Sequence, residues 1–199
     1  MSELVVNPGV LPVGPQEKKS ASWWGVLCLV ATEASLFAYL LFSYYYYDVQ
    51  LTRAWRPSAP PPLHLAAPNT VLLLLSSVVV WWGERALKKG KPGRCLIALV
   101  VGFLMGVGFV LIQLKEWASK HDSLQKDLYG SIYFTTTGFH MAHVIAGLIA
   151  LLFVIVWLGL GYFDEKRSAA VSNAAIYWHF VDAVWLTVFF TFYVTPYLW

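Results

Sequence analysis

The sequence predicts an all-α integral membrane bundle of five transmembrane helices, and three observations predict it. Of its 199 residues, 58% are hydrophobic and only 13% are charged, against roughly 25% charged residues in a soluble domain. Five stretches, 23–46, 66–87, 95–116, 131–162 and 171–197, reach the length of about 20 apolar residues that a bilayer core demands. The alternating segments of about ten residues that mark a membrane β-barrel are absent.

Residues 1–22 carry Pro8, Gly9, Pro12, Gly14 and Pro15 without an apolar period, which predicts an irregular tail ahead of a membrane domain over 23–199. Lys18 and Lys19 before an apolar run imitate a signal peptide. The run exceeds an h-region of about 7–15 residues and lacks a small-residue cleavage site, so it reads as a retained first span. The connection 48–65 holds Pro57, Pro60, Pro61 and Pro62, which favour an extended path. Pro68 suits the first turn of the second helix, where a missing N–H costs nothing. Gly90, Pro92 and Gly93 stop that helix and turn the chain into the third. Gly102 with Gly106, and Gly138 with Ala142 and Ala146, give small residues at helical spacing for close contacts between helices. No repeat occurs at the helix-pair period, so an inverted-repeat transporter is unsupported.

The formal net charge of +3 offers no footprint for nucleic acid, and the placement of the charges says more than their sum. One membrane face receives Lys18, Lys19, Arg85, Lys88, Lys89, Lys91, Arg94, Lys166 and Arg167; the other receives Arg53, Arg56, Lys115, Lys120 and Lys126. Short basic loops stay in the cytoplasm, which predicts a cytoplasmic N-terminus and an outer C-terminus. Cys28 and Cys95 lie far apart with no Cys-x-x-Cys pair, and read as apolar fillers.

The candidate site residues are the ionisable ones inside the spans: Glu33, His140, His143, His179 and Asp182. A charge at bilayer depth costs roughly 2.5–3.5 kcal/mol on insertion scales, so such groups turn toward protein, a partner or trapped water. Glu33 reads as a proton relay, an ion site or a partner contact, or as a neutral carboxylic acid donating one interhelical hydrogen bond. His140 and His143 lie three apart on the fourth span, with His179 on the fifth. Ligation of a metal or haem needs imidazoles converging on one centre; satisfied polar packing is the other reading. His179 and Asp182 share a helix face and serve one another or a common neighbour. Trp23-Trp24, the run 44–47, Trp81-Trp82 and Trp117 fall at span ends as an interfacial aromatic belt. His64 and His121 read as loop residues in solvent, and Glu84 with Arg85 as an interfacial pair.

From about Trp23 to the C-terminus the chain resembles subunit III of the haem-copper respiratory oxidases, the cytochrome c oxidase subunit III family, in its five-helix form. The most specific pieces are Tyr129-Gly130-Ser131, Thr137-Gly138-Phe139-His140 with His143, and Tyr177-Trp178-His179-Phe180-Val181-Asp182 with Val184-Trp185. Thr32-Glu33-Ala34, Pro68-Asn69-Thr70, and Gln113 with Glu116 support them. One departure is Ser172, where the family has a glutamate five residues before Tyr177.

The resemblance implies an accessory subunit without haem, copper, other metal or catalytic residue of its own, packed against catalytic subunit I in a bacterial cytoplasmic membrane. Haem and copper are expected in partner subunits, and bound phospholipid between the helices. It implies a role in proton uptake and in the durability of the oxygen-reducing centre of a proton-translocating oxidase. Glu33 matches the family's intramembrane glutamate, and the histidines become structural. The alternatives are an accessory subunit of a quinol oxidase or nitric oxide reductase, a stand-alone haem b cytochrome, or a small proton conductor.

Overall fold

The computed structural model describes residues 21–51, 55–57, 61–119 and 127–198. The tail up to residue 20 and the loop positions of Arg53, Pro60, Lys120, His121 and Lys126 lie outside the described residues. Five helices are long and apolar enough to cross a membrane: α1 Ala21–Gln50, α2 Leu63–Lys88, α3 Pro92–Ser119, α4 Leu128–Gly159 and α5 Ala169–Phe189, the last continuing to Leu198. No strand occurs among the described residues.

Local chemistry sets the boundaries. The Asp127 carboxylate accepts from the Gly130 amide at 2.6 Å and caps α4. Gly90 takes φ +67°, and the Lys91 amide reaches back to the Ala86 carbonyl at 3.0 Å, closing α2 in the left-handed manner that glycine permits. Pro92 then opens α3 as its first residue. α2 starts earlier than expected, at Leu63 behind an extended Pro62. Pro68 therefore stands in the second turn, where its missing N–H leaves the His64 carbonyl without an intrahelical donor. The helix-forming run Leu63 to Ala67 outweighs that loss. His64 consequently lies on a helix rather than in a loop, though exposed as expected.

α5 is the central post: it packs against α1, α2 and α4, and half of its most apolar window is buried. It ends in a π-helical turn, Phe190–Val194, just before Pro196. The wider turn buries three successive side chains, Thr191, Phe192 and Tyr193, which a regular helix with one inward stripe does not do. α1 is the most peripheral helix and adds only Phe37 and Tyr44 to the buried core.

Polar side chains lace α2 to α5 along their whole contact. Trp185 Nε1 donates to Thr70 Oγ1 at 2.9 Å, Trp178 Nε1 to Ser76 Oγ at 3.0 Å, and Ser172 Oγ to Glu84 Oε1 at 2.7 Å. The sum of each residue pair is nearly constant, as antiparallel neighbours require. Measured bonds of this kind in membranes average about 0.6 kcal/mol.

Several expectations about packing change. The Gly138, Ala142, Ala146 stripe does not make a close contact: a Cβ at Gly138 would meet nothing within 4 Å, and both alanines are exposed. The buried face of α4 runs one residue away, and Gly147 makes the close approach, to Trp178. Gly102 and Gly106 do serve as contacts, against Val80 and Trp178 respectively. Tyr44 leaves the belt for the core, boxed by Trp55 and Phe192, with Arg56 beside it in an ion pair with Asp48. Trp81 and Trp82 remain exposed. Glu84 pairs with Lys88 at 2.5 Å instead of Arg85, whose guanidinium stacks on Trp81 at 3.9 Å; the i,i+4 spacing faces Lys88 toward Glu84, whereas adjacent residues diverge.

Candidate functional site

Glu33 lies on the one stripe of α1 that meets the bundle, with Val30, Phe37 and Tyr44. Its Oε2 stands 2.9 Å from His143 Nε2 on α4. The other ring nitrogen, Nδ1, is 2.6 Å from the Phe139 carbonyl one turn back on the same helix. A carbonyl only accepts, so Nδ1 carries a hydrogen. The contact between Nε2 and Oε2 then holds a single proton, on nitrogen as an imidazolium–carboxylate pair or on oxygen as an imidazole–carboxylic acid pair. Relative exposure of the side chains is 27% for Glu33 and 14% for His143, so this proton site opens on the outside of the bundle at membrane depth.

Beside it lies a cleft of about 500 Å³ between α1, α4 and α5, walled by Leu29, Ala146, Ala150, Phe153, Trp157 and Tyr177, with Asn173 as a polar member. Leu29 is one turn from Glu33, and Ala146 one turn from His143. The Glu33–His143 pair therefore stands at one end of an apolar groove. The groove runs toward the end of the bundle that holds the α2–α3 turn and the α4–α5 loop, hereafter the basic end.

The remaining site residues separate. His179 Nδ1 is 3.0 Å from Ser77 Oγ on α2, and the same hydroxyl faces the Asp182 carboxyl, so histidine and aspartate share a neighbour rather than bond one another. Both Asp182 oxygens and His179 Nε2 have no hydrogen-bond partner of good geometry. His140 is fully enclosed, stacked on Trp185 with ring centroids 4.9 Å apart and edge-on to Phe109 at 6.0 Å. The three histidines do not converge: one meets Glu33, one Ser77, one an indole face. Among the described residues no group of three or more His, Cys, Asp or Glu side chains comes together as a metal would require.

A polar cluster absent from the sequence-based set sits at the opposite end. Glu116 Oε1 accepts from Tyr193 at 2.5 Å and from Tyr133 at 3.3 Å, and the two phenol oxygens are 2.7 Å apart. It joins α3, α4 and the π-turn of α5. Spacing held one clue, since Gln113 and Glu116 share a helix face. The tyrosines carried none. Ser172, where the resemblance leads one to expect a glutamate, is likewise engaged, donating to Glu84.

The description "Cytochrome c oxidase subunit III" matches residues 17–199. Curated proteins named cytochrome c oxidase subunit 3 are similar over most of the chain. That of Pongo pygmaeus is 33% identical over 183 residues, covering 88% of this chain and 69% of the relative. The Homo sapiens protein is 32% identical over the same shares, and that of Loxodonta africana 33% identical over 177 residues, 85% of this chain and 68% of its own length. Together with five membrane-spanning helices in this order, these similarities mean that the chain belongs to the cytochrome c oxidase subunit III family.

Proposed function

We propose that the chain is the accessory subunit III of a haem-copper terminal oxidase, seated on catalytic subunit I and on phospholipid, in a complex that reduces oxygen to water and translocates protons. The observation that carries this reading is the Glu33–His143 pair on a thinly covered flank. An ionisable pair at membrane depth demands a neighbour that is not bare hydrocarbon, and α1 buries only Phe37 and Tyr44 within the chain. A partner subunit or a lipid supplies that cover. The apolar cleft accepts an acyl chain, with the headgroup beside the α4–α5 loop that bears Lys166. Haem and copper belong to the partner subunits, and this chain acts by packing, lipid retention and proton handling. Mild purification of the complex tests the assignment: this chain should come down with a haem-bearing subunit and show no Soret band when expressed alone. A haem spectrum from the lone chain would reverse it in favour of a cytochrome.

The shared proton gives Glu33 a specific part. Glu33→Gln keeps a hydrogen bond to His143 but removes the exchangeable proton from the carboxyl. In the assembled oxidase it should slow proton uptake and shorten the number of turnovers before inactivation. Wild-type values for both would reduce Glu33 to a packing group.

The basic end faces the cytoplasm in this reading. Lys88, Lys89, Lys91 and Arg94 crowd the α2–α3 turn, and each such charge contributes about 1 kcal/mol at anionic headgroups. Neutralising Lys88, Lys89 and Lys91 together should lower the anionic lipid retained on purification, as counted by lipid mass spectrometry. Unchanged retention would remove the headgroup role.

A further inference from the structure

We propose that the layer between α2, α3 and α4, one to two turns inward from Glu116, is a binding site for internal water. Four side chains define it: Asn69, Gln113, Thr136 and His140, all at most 1% exposed. Six of their polar atoms have no protein partner: Asn69 Oδ1, Gln113 Oε1 and Nε2, Thr136 Oγ1, and both ring nitrogens of His140.

Contacts on either side bring these atoms to adjacent levels. Glu116 on α3 meets Tyr133 on α4 at 3.3 Å, and Phe109 meets His140, which sets the antiparallel register of the two helices. Gln113 lies between Glu116 and Phe109, and Thr136 between Tyr133 and His140, so the amide and the hydroxyl stand opposite one another. Asn69 joins from α2, its Nδ2 donating to the Phe109 carbonyl at 3.3 Å. The whole set spans about one helical turn, roughly 6 Å.

No rearrangement of the protein's own groups pairs these atoms in place. Flipping the Gln113 amide changes nothing, because neither of its ends has a partner. Thr136 does not bond its own helix, whereas Thr137 beside it donates to the Tyr133 carbonyl at 2.7 Å and Thr70 to the Ala66 carbonyl at 2.8 Å. A neutral imidazole always carries one donor and one acceptor, and both are unmet at His140. The large majority of buried polar side-chain atoms in folded proteins have a hydrogen-bond partner, protein or water.

The inventory also selects the ligand. Donors are the Gln113 amide N–H groups, the Thr136 hydroxyl and one His140 N–H. Acceptors are Asn69 Oδ1, Gln113 Oε1 and the other His140 nitrogen. No formal charge accompanies them if His140 is neutral. An even mix of donors and acceptors disfavours a bare cation or anion and suits a small neutral molecule able to do both, which is water. Internal waters make about three hydrogen bonds each, so two molecules would serve all six atoms.

The inference stands apart from the proposed function and is tested by the sign of a stability change in the purified complex. Gln113→Leu keeps size and removes the amide. In a dry layer that substitution deletes an unpaired polar group and raises the thermal midpoint. With water present it strips the water of its best partner, and the midpoint should fall by about 2–4 °C. Thr136→Val, a hydroxyl-to-methyl exchange at constant shape, should lower it in the same way and serves if the first variant fails to assemble. A midpoint at or above wild type for the assembled variant overturns the proposal. A structure resolving ordered solvent gives the second readout. Density within hydrogen-bond reach of Gln113 and His140 is expected, and a layer without it, or one closed by direct protein contacts, rejects the site.

Discussion

Trp178→Ala should be the most damaging single truncation in the chain, lowering stability by about 3–5 kcal/mol. The indole is fully buried, donates to Ser76 on α2, and lies in the space left by two glycines on two other helices. A Cβ at Gly106 of α3 would stand 2.6 Å from Trp178 Cη2, and one at Gly147 of α4 would stand 2.9 Å from Cε3. One side chain of α5 thus touches three helices, and its removal opens a cavity where all of them meet. Hydrocarbon exclusion does not drive helices together inside a bilayer, so lost packing contacts are the main term. The reverse change, Gly106→Leu, overfills the same place and should also destabilise, by about 1–3 kcal/mol or more. Trp178→Phe retains most of the contacts and loses one hydrogen bond, so its effect should be markedly smaller. Thermal unfolding in nanodiscs, with the exposed Trp82→Ala as control, ranks the series. Equal losses for Trp178→Ala and Trp82→Ala would refute the junction role.

Glu116→Leu should have the second largest effect. The carboxyl gathers two phenols from separate segments, Tyr133 of α4 and Tyr193 of the π-turn. Without it Tyr193 and Tyr133 each lose a buried hydrogen bond, and each such bond contributes about 0.5–1.5 kcal/mol. Glu116→Gln retains a carbonyl acceptor and should recover most of the loss. The readout that separates this role from general packing is local: hydrogen exchange at the C-terminal turn, residues 190–198, should rise in Glu116→Leu and stay low in Glu116→Gln. Unchanged exchange in both variants would show that the π-turn holds without the cluster.

Span number and helical class were legible because they depend on one-dimensional quantities, the length of apolar runs and the placing of Pro, Gly and charge. Boundaries were less so. α1 runs to Gln50 and α2 starts at Leu63, since flanking turns with helix-forming side chains extend past the apolar run itself. Glu33 and His143 were visible as ionisable residues at membrane depth, and so were His140, His179 and Asp182. Their partners were not, because pairing across helices depends on rotation about each axis. That rotation also explains Tyr44, which lies in a run of four tyrosines typical of a belt yet faces the core. It explains Gly138 as well, which has glycine's usual signature and meets nothing.

Composition, hydropathy and motif order by themselves determined the five-helix membrane bundle and the resemblance that led to its family. Only the tertiary structure decided that Glu33 meets His143 across two helices, that Ser77 is the shared neighbour of His179 and Asp182, and that Glu116 gathers two tyrosines. A residue's chemistry and depth are properties of the chain alone. Which side chain stands within 3 Å of another depends on helix rotation and register, and these follow from packing among all five helices at once.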